Sequence, residues 1–113
     1  KNRKAIIGKQ IKLSKKFEEE LNLFLESNHI DIKVYRFYGM CRVVFSRKKI
    51  LNRTQRDFLE AKKNIKIEKF KSFLLKNKIL YPKNGIIFFS HANTIKDINY
   101  FIENFKKGFN RFF

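Results

Sequence analysis

The segment from Ile95 to Phe109 constrains the fold more than any other part of the chain, because it carries one unbroken apolar stripe. Ile95, Ile98, Phe101, Ile102, Phe105 and Phe109 recur at steps of three and four, the spacing that gathers side chains on one face of a helix. Thr94 stands where an N-cap belongs, and Asp97 three residues on completes a capping-box pattern with Asp in place of the usual Glu. A helix with such a face is stable only against a second apolar surface, so the rest of the chain must supply a layer for it to cover.

The remaining segments predict that layer. Ile11, Leu13, Phe17, Leu21, Phe24 and Leu25 mark a helix from about Lys9 to Asn28, with Glu18, Glu19 and Glu20 on its wet side and Ser27-Asn28-His29 at its end. Ile32 to Tyr38, rich in β-branched and aromatic residues, predicts a strand. Gly39 interrupts it, and Cys41 to Phe45 predicts a second strand, in an antiparallel hairpin or a bulged strand. Ser46 to Asn52 is basic and irregular. A short helix is expected around Phe58 and Leu59, and a stronger one from Ile65 to Asn77 on Ile67, Phe70, Phe73 and Leu74. Ile79 to Tyr81 is a short extended piece closed by Pro82 and the Lys83-Asn84-Gly85 turn. Ile86 to Phe89 is apolar at every position, the pattern of a central strand buried on both sides. The order helix, strand, strand, helix, strand, helix predicts an α+β fold: a small, mostly antiparallel three-stranded sheet with helices packed on one face. No repeat or linker divides residues 1–113, which read as a single domain.

Composition supports a folded chain. Of 113 residues 43% are hydrophobic and 14 are Phe, too apolar for the low-hydrophobicity class that stays disordered. The lone Cys41 cannot form an internal disulfide, and two His with one Cys exclude a structural zinc site built from those ligands. No apolar run approaches the roughly 18 residues of a membrane helix. These features, with no signal-peptide pattern, favour a reducing, cytoplasmic location. The chain begins at Lys1 without Met, which points to trimming or to a longer parent.

The formal net charge is +17, and a basic domain of this size raises the expectation of a polyanion partner. The basic residues are nevertheless scattered, as Lys15-Lys16, Arg47-Lys48-Lys49, Lys62-Lys63 and Lys106-Lys107, and Lys outnumbers Arg 20 to 7. Arg is the residue suited to bidentate phosphate and base contacts. Lys, Asn, Ile and Phe are over-used together, as A/T-rich codons would dictate. A solvated lysine surface is therefore the preferred reading of the charge. A free-standing module that binds nucleic acid, with Tyr35 and Phe37 stacking on bases, is the alternative.

Residues with chemical potential are few. Gly8, Gly39, Gly85 and Gly108 are isolated, so there is no phosphate loop. Cys41 with His29 or His91 is the only nucleophile pairing available, but a lone Cys inside a strand pattern reads as a small buried hydrophobe. His91 follows a strand and precedes the Asn93-Thr94 helix start, a position where sites often form.

Four motifs in order resemble the C-terminal part of class III pyridoxal-phosphate-dependent aminotransferases, in the branch containing glutamate-1-semialdehyde aminomutase. They are Glu20-Leu21-Asn22-Leu23-Phe24; Tyr38-Gly39-Met40-Cys41 leading to Phe45, with Tyr38 and Gly39 where the family has Gly and Ser; Phe73 to Pro82, with Lys78 replacing a turn glycine; and Ser90-His91-Ala92-Asn93-Thr94-Ile95-Lys96-Asp97-Ile98, with Asn93 replacing a His. The aminomutase branch has a Glu after the Pro, whereas Lys83 to Phe89 contains no carboxylate. The resemblance implies the small lobe of a fold type I enzyme, closing over a large domain that is absent here and excluding water from its active site, in a parent that is a homodimer. It implies pyridoxal phosphate in that parent and none bound to this chain alone. None of the lysines sits in a matching motif, so no catalytic, cofactor-binding or metal-binding residue is carried over. Pro82, Asn84, Ser90, His91, Asn93 and Thr94 are the residues expected to face the cleft between the domains.

Overall fold

A computed structural model describes residues 3–47, 54, 58, 60, 61, 63–82, 85–89 and 93–113. The described elements are helix α1 (Arg3–Ser27), strands β1 (Lys33–Phe37) and β2 (Met40–Val44), helix α2 (Asn64–Lys76), strand β3 (Ile86–Phe88) and helix α3 (Ile95–Phe112). The three strands form one antiparallel sheet in the order β1-β2-β3. Helix α1 packs on β1 and β2, and α3 packs on α1 and α2. This is the expected α+β arrangement.

Helix α1 begins six residues before the expected Lys9. Its buried stripe, Leu13, Phe17, Leu21 and Leu25, recurs every fourth residue and lies against the sheet. The added turns present Ala5, Ile7 and Gly8 to solvent, so nothing in the hydrophobic pattern announced them. At its C-terminus His29 adopts the left-handed conformation (φ 54°). The amide of His29 donates to the Glu26 carbonyl at 3.2 Å and that of Ile30 to the Leu25 carbonyl at 2.9 Å, the bond pair of a Schellman motif. Helix α2 ends in the same way. Lys78 is left-handed (φ 63°), its amide donates to Leu75 at 2.9 Å, and the Ile79 amide donates to Leu74 at 2.8 Å. Leu25 and Ile30, like Leu74 and Ile79, are buried, the apolar contact that accompanies this cap.

Helix α3 starts as its sequence dictates. The Thr94 hydroxyl accepts from the Asp97 amide at 3.2 Å, and the Asp97 carboxylate accepts from the Thr94 amide at 2.9 Å. Ile98, Ile102, Phe105 and Phe109 are buried against the core. The Tyr100 hydroxyl donates to the Asn77 carbonyl at 2.7 Å and ties α3 to the end of α2.

One expectation changes. Ile86–Phe88 is an edge strand in the described sheet, not a central one; Ile86 and Ile87 are half-buried and Phe88 is 71% exposed. Its apolar residues are therefore not sealed on both sides by the described residues. The piece from Ile79 to Tyr81 joins no strand, although Ile79 and Tyr81 are buried in the core. Of the helix expected around Phe58 and Leu59, residues 58, 60 and 61 are helical. Leu59 and the basic stretch from Lys48 to Asn52 lie outside the described residues.

A side chain at left-handed φ costs about 1 kcal/mol or more, a cost glycine escapes. Lys78→Gly is therefore expected to stabilise the chain by about 1 kcal/mol, read as an upward shift of the urea midpoint. An unchanged or lower midpoint would show that the Lys78 side chain contributes more than its backbone conformation costs.

Candidate functional site: the open face of the sheet

Strand register sorts the sheet into two unlike faces. Val34 opposes Val43, and Arg36 opposes Cys41, which opposes Ile87; these rows lie beneath α1. Here the Arg36 guanidinium approaches Glu18 at 3.4 Å. The Cys41 thiol points at the Ser14 carbonyl at 3.3 Å, and the Ser14 hydroxyl reaches the Tyr38 carbonyl at 2.8 Å. The edge strand β1 is held by a side chain that sequence reasoning had noted only as part of a motif. Asn22 accepts the Val34 N–H through Oδ1 and donates to the Val34 carbonyl through Nδ2, both at 2.8 Å. One amide thus satisfies both backbone groups of an edge residue that would otherwise lie unpaired.

The opposite face carries the rows Tyr35, Arg42, Ile86 and Phe37, Met40, Phe88. Phe37 is 66% exposed and Phe88 71%, with Tyr35 exposed beside them. Tyr38, 69% exposed in the β1–β2 turn, sets its ring edge-on to Phe37 at 5.0 Å. No acidic residue occurs in any of the three strands, and Lys33 lies 5.3 Å from the centre of the Tyr35 ring. The exposed part of this face is aromatic and cationic, while Val44 at its far end, opposite Lys33, is buried. Clustered exposed apolar side chains of this kind mark interaction surfaces.

The segments expected to face a cleft lie at opposite ends of β3. Pro82 and Gly85 precede the strand, and the Gly85 carbonyl accepts from Val43. Asn93 and Thr94 lie beyond its other end, with Phe89 bonded to the Gly39 carbonyl between. Pro82 and Asn93 are half-buried and Thr94 is exposed. The structure does not draw these two groups together; the open face of the sheet lies between them. Asn84, Ser90 and His91 lie outside the described residues.

The candidate nucleophile is inert. Cys41 is 1% exposed, and burial, with the Glu18 charge adding and Arg36 opposing, pushes its thiol from 9.0 up to about 12. His29 is an exposed helix cap. Among the described residues no group of three or more His, Cys, Asp or Glu could hold a metal ion. The ion-paired lysines Lys16, Lys63 and Lys71 keep a quarter or more of their side chains in solvent, where a Schiff-base amine would lack the desolvation that activates it.

No family model and no curated protein matches the sequence. Solved structures do match the fold. A glutamate-1-semialdehyde-aminomutase from Pseudomonas aeruginosa PAO1, in complex with PMP, superposes with a TM-score of 0.85 at 14% identity over 96% of this chain. A second structure of a glutamate-1-semialdehyde-aminomutase from that organism gives 0.83 at 14% identity over the same share. The chain has the fold of an aminotransferase small domain. It spans 24% of the length of those aminomutase chains. The two positions where the motifs replaced a family glycine, Tyr38 and Lys78, both keep positive φ, at 56° and 63°.

Because Cys41 holds its proton in the folded state, stability is full below about pH 9 and falls as pH rises toward 12, where the unfolded thiol ionises and the folded one does not. The buried Tyr81 phenol, raised chiefly by burial and next by Glu60, acts in the same direction. Native chain is expected to resist iodoacetamide at pH 8 and to react fully in urea, measured by intact mass. Rapid native labelling would contradict the buried, protonated thiol.

Proposed function

We propose that this chain is the small lobe of a pyridoxal-phosphate-dependent aminotransferase or aminomutase, catalytic only together with a cofactor-binding domain. The observation that carries the reading is the superposition on nearly the whole of this chain but 24% of a neighbour that was crystallised with PMP. The open sheet face supports it, because an uncovered aromatic surface is what a lobe presents to the domain it packs against. The lobe docks through Tyr35, Phe37 and Phe88, with Pro82–Gly85 and Asn93–Thr94 at the two ends of the interface. Its contribution to the reaction is to close over bound substrate and exclude water. Pyridoxal phosphate, held by the larger domain, supplies the electron sink for chemistry at the amino-bearing carbon. The residues of this chain position and cover; none transfers a proton.

The test uses the reading frame upstream of Lys1 and its product. A cofactor-binding domain is expected there, and the joined protein should show transaminase turnover that Phe37→Ser with Phe88→Ser lowers at least tenfold in kcat/KM, with cofactor absorbance unchanged. The isolated chain mixed with pyridoxal phosphate should give no stoichiometric aldimine band. A band with turnover, or an unrelated upstream frame, would remove the reading.

A second reading rests on the composition of the same face. Exposed Tyr35, Phe37 and Phe88 without a neighbouring carboxylate in the strands are also what a single-stranded nucleic acid stacks on. If the face is a domain-docking surface, titration with oligonucleotides should show only weak binding that disappears by 150 mM salt and is insensitive to Phe37→Ser. Tight binding that depends on Phe37, with a steep salt slope, would favour nucleic acid instead.

A further inference from the structure

Helices α2 and α3 leave a groove of about 370 Å³ along their seam. Its floor is apolar: Phe73 and Phe112 are half-buried, with ring centres 6.0 Å apart and planes at 70°. Its rim is basic. Lys69 and Lys76 flank Phe73 on α2 at helical spacing, and Arg111 stands on α3 with its guanidinium 5.4 Å from the Phe112 ring centre and 6.0 Å from that of Phe73. All three cations are exposed. Glu68, the carboxylate of the lining, is engaged by Lys71 at 3.7 Å. Among the described residues Lys69, Lys76 and Arg111 form no ion pair. Of the chain's ten acidic residues only Asp57 lies outside the described ones, so the cations prevail even with Asp57 counted against them.

An apolar floor between cations is the complement of a helix that carries apolar side chains on one face and carboxylates beside them. A nucleic acid fits less well, because Arg111 lies over both phenylalanine rings where a base would stack. A second copy of this chain also fits less well. Each copy carries +17, and Glu20 and Glu26 of α1 are already paired with Lys16 and Arg47. We propose that the α2–α3 seam docks an acidic amphipathic helix of a partner protein, with an apolar side chain seated on Phe73 and Phe112 and carboxylates on Lys69, Lys76 and Arg111. Among the described residues the lining comes from α2 and α3 alone, so the site does not rest on what covers the open face of the sheet.

The probe is a synthetic helical peptide of about 14 residues, roughly four turns, with Leu along one face and Glu on either side of it. It would be titrated at constant ionic strength into the ¹⁵N-labelled chain, with the Ser72 and Lys76 amides followed beside those of Tyr35 and Phe37. Saturable shifts at α2 and the end of α3, with the sheet amides unmoved, are expected. Replacing the peptide's Leu by Ser should weaken binding about tenfold or more, and so should Lys69→Met combined with Arg111→Met, which keeps apolar stems at both positions. Lys12→Met, at an exposed position on α1, should leave it unchanged. Absence of saturation overturns the proposal. Equal weakening by Lys12→Met, or undiminished binding of the Ser peptide, overturns it as well, because either would mean diffuse attraction to a lysine surface. An oligothymidylate that binds the seam more tightly than the peptide would assign it to nucleic acid instead, and self-association of the chain abolished by Arg111→Met would assign it to a second copy. Should the double variant unfold, as read by circular dichroism, the comparison of Leu and Ser peptides on the unaltered chain decides alone.

Discussion

The structure turns on one ring. Phe70 is fully buried and lies parallel to Phe109 at 4.8 Å, with edge contacts to Phe45, Tyr81, Phe105 and Phe113. It therefore joins the end of β2, helix α2, the segment before β3 and helix α3 at a single point. Gly108 makes this possible, because a Cβ there would sit 2.6 Å from the Phe70 ring, closer than packed atoms allow. Adjacent residues thus do complementary work: Gly108 admits the ring and Phe109 stacks upon it. Aromatic pairs contribute about 0.5–1.5 kcal/mol each beyond area burial. Five of them on one ring is a considerable share of the roughly 5–15 kcal/mol that holds a small domain together.

That packing is one-sided, and the one-sidedness creates the functional surface. Phe17 bridges to Phe89 at 5.2 Å and to Phe105 at 5.0 Å, so α1 and α3 are committed to the inner face of the sheet. On the outer rows Phe37 and Phe88 stay exposed with Tyr35, whereas Val44 at the end of β2 is buried. Asn22 closes the free backbone groups at Val34, which blunts the β1 edge as a template for strand addition. What remains open is the aromatic face rather than the edge, and an open face favours docking by side-chain packing over docking by backbone pairing.

Much of this was legible in the sequence. The Thr94–Asp97 pair and the stripe that follows located the start of α3 because cap and periodicity agreed, whereas the helix runs on past Phe109 to Phe112. The hairpin was equally plain, and the burial of Cys41 followed from its place in a strand. Ile86–Phe89 was misread for a physical reason: apolar residues on both sides of a strand state that two surfaces are apolar, not that one chain supplies both covers. Asn22 was noticed as part of a motif, yet its role depends on a strand twelve residues away that periodicity cannot pair with it.

Left-handed backbone tells the deepest part of the story. His29, Tyr38 and Lys78 hold positive φ without being glycine, so a search for turns by glycine alone misses the first and last and finds the second only through Gly39 beside it. At His29 and Lys78 the cost is offset by Schellman bonds and by the buried pairs Leu25–Ile30 and Leu74–Ile79. At Tyr38 the carbonyl accepts from the Ser14 hydroxyl at 2.8 Å and from Arg36 at 3.2 Å, while the exposed ring extends the aromatic face beside Phe37. The turn's left-handed residue is thus bonded through its backbone, and its ring sets apolar surface in water that any covering surface would remove at a gain in free energy.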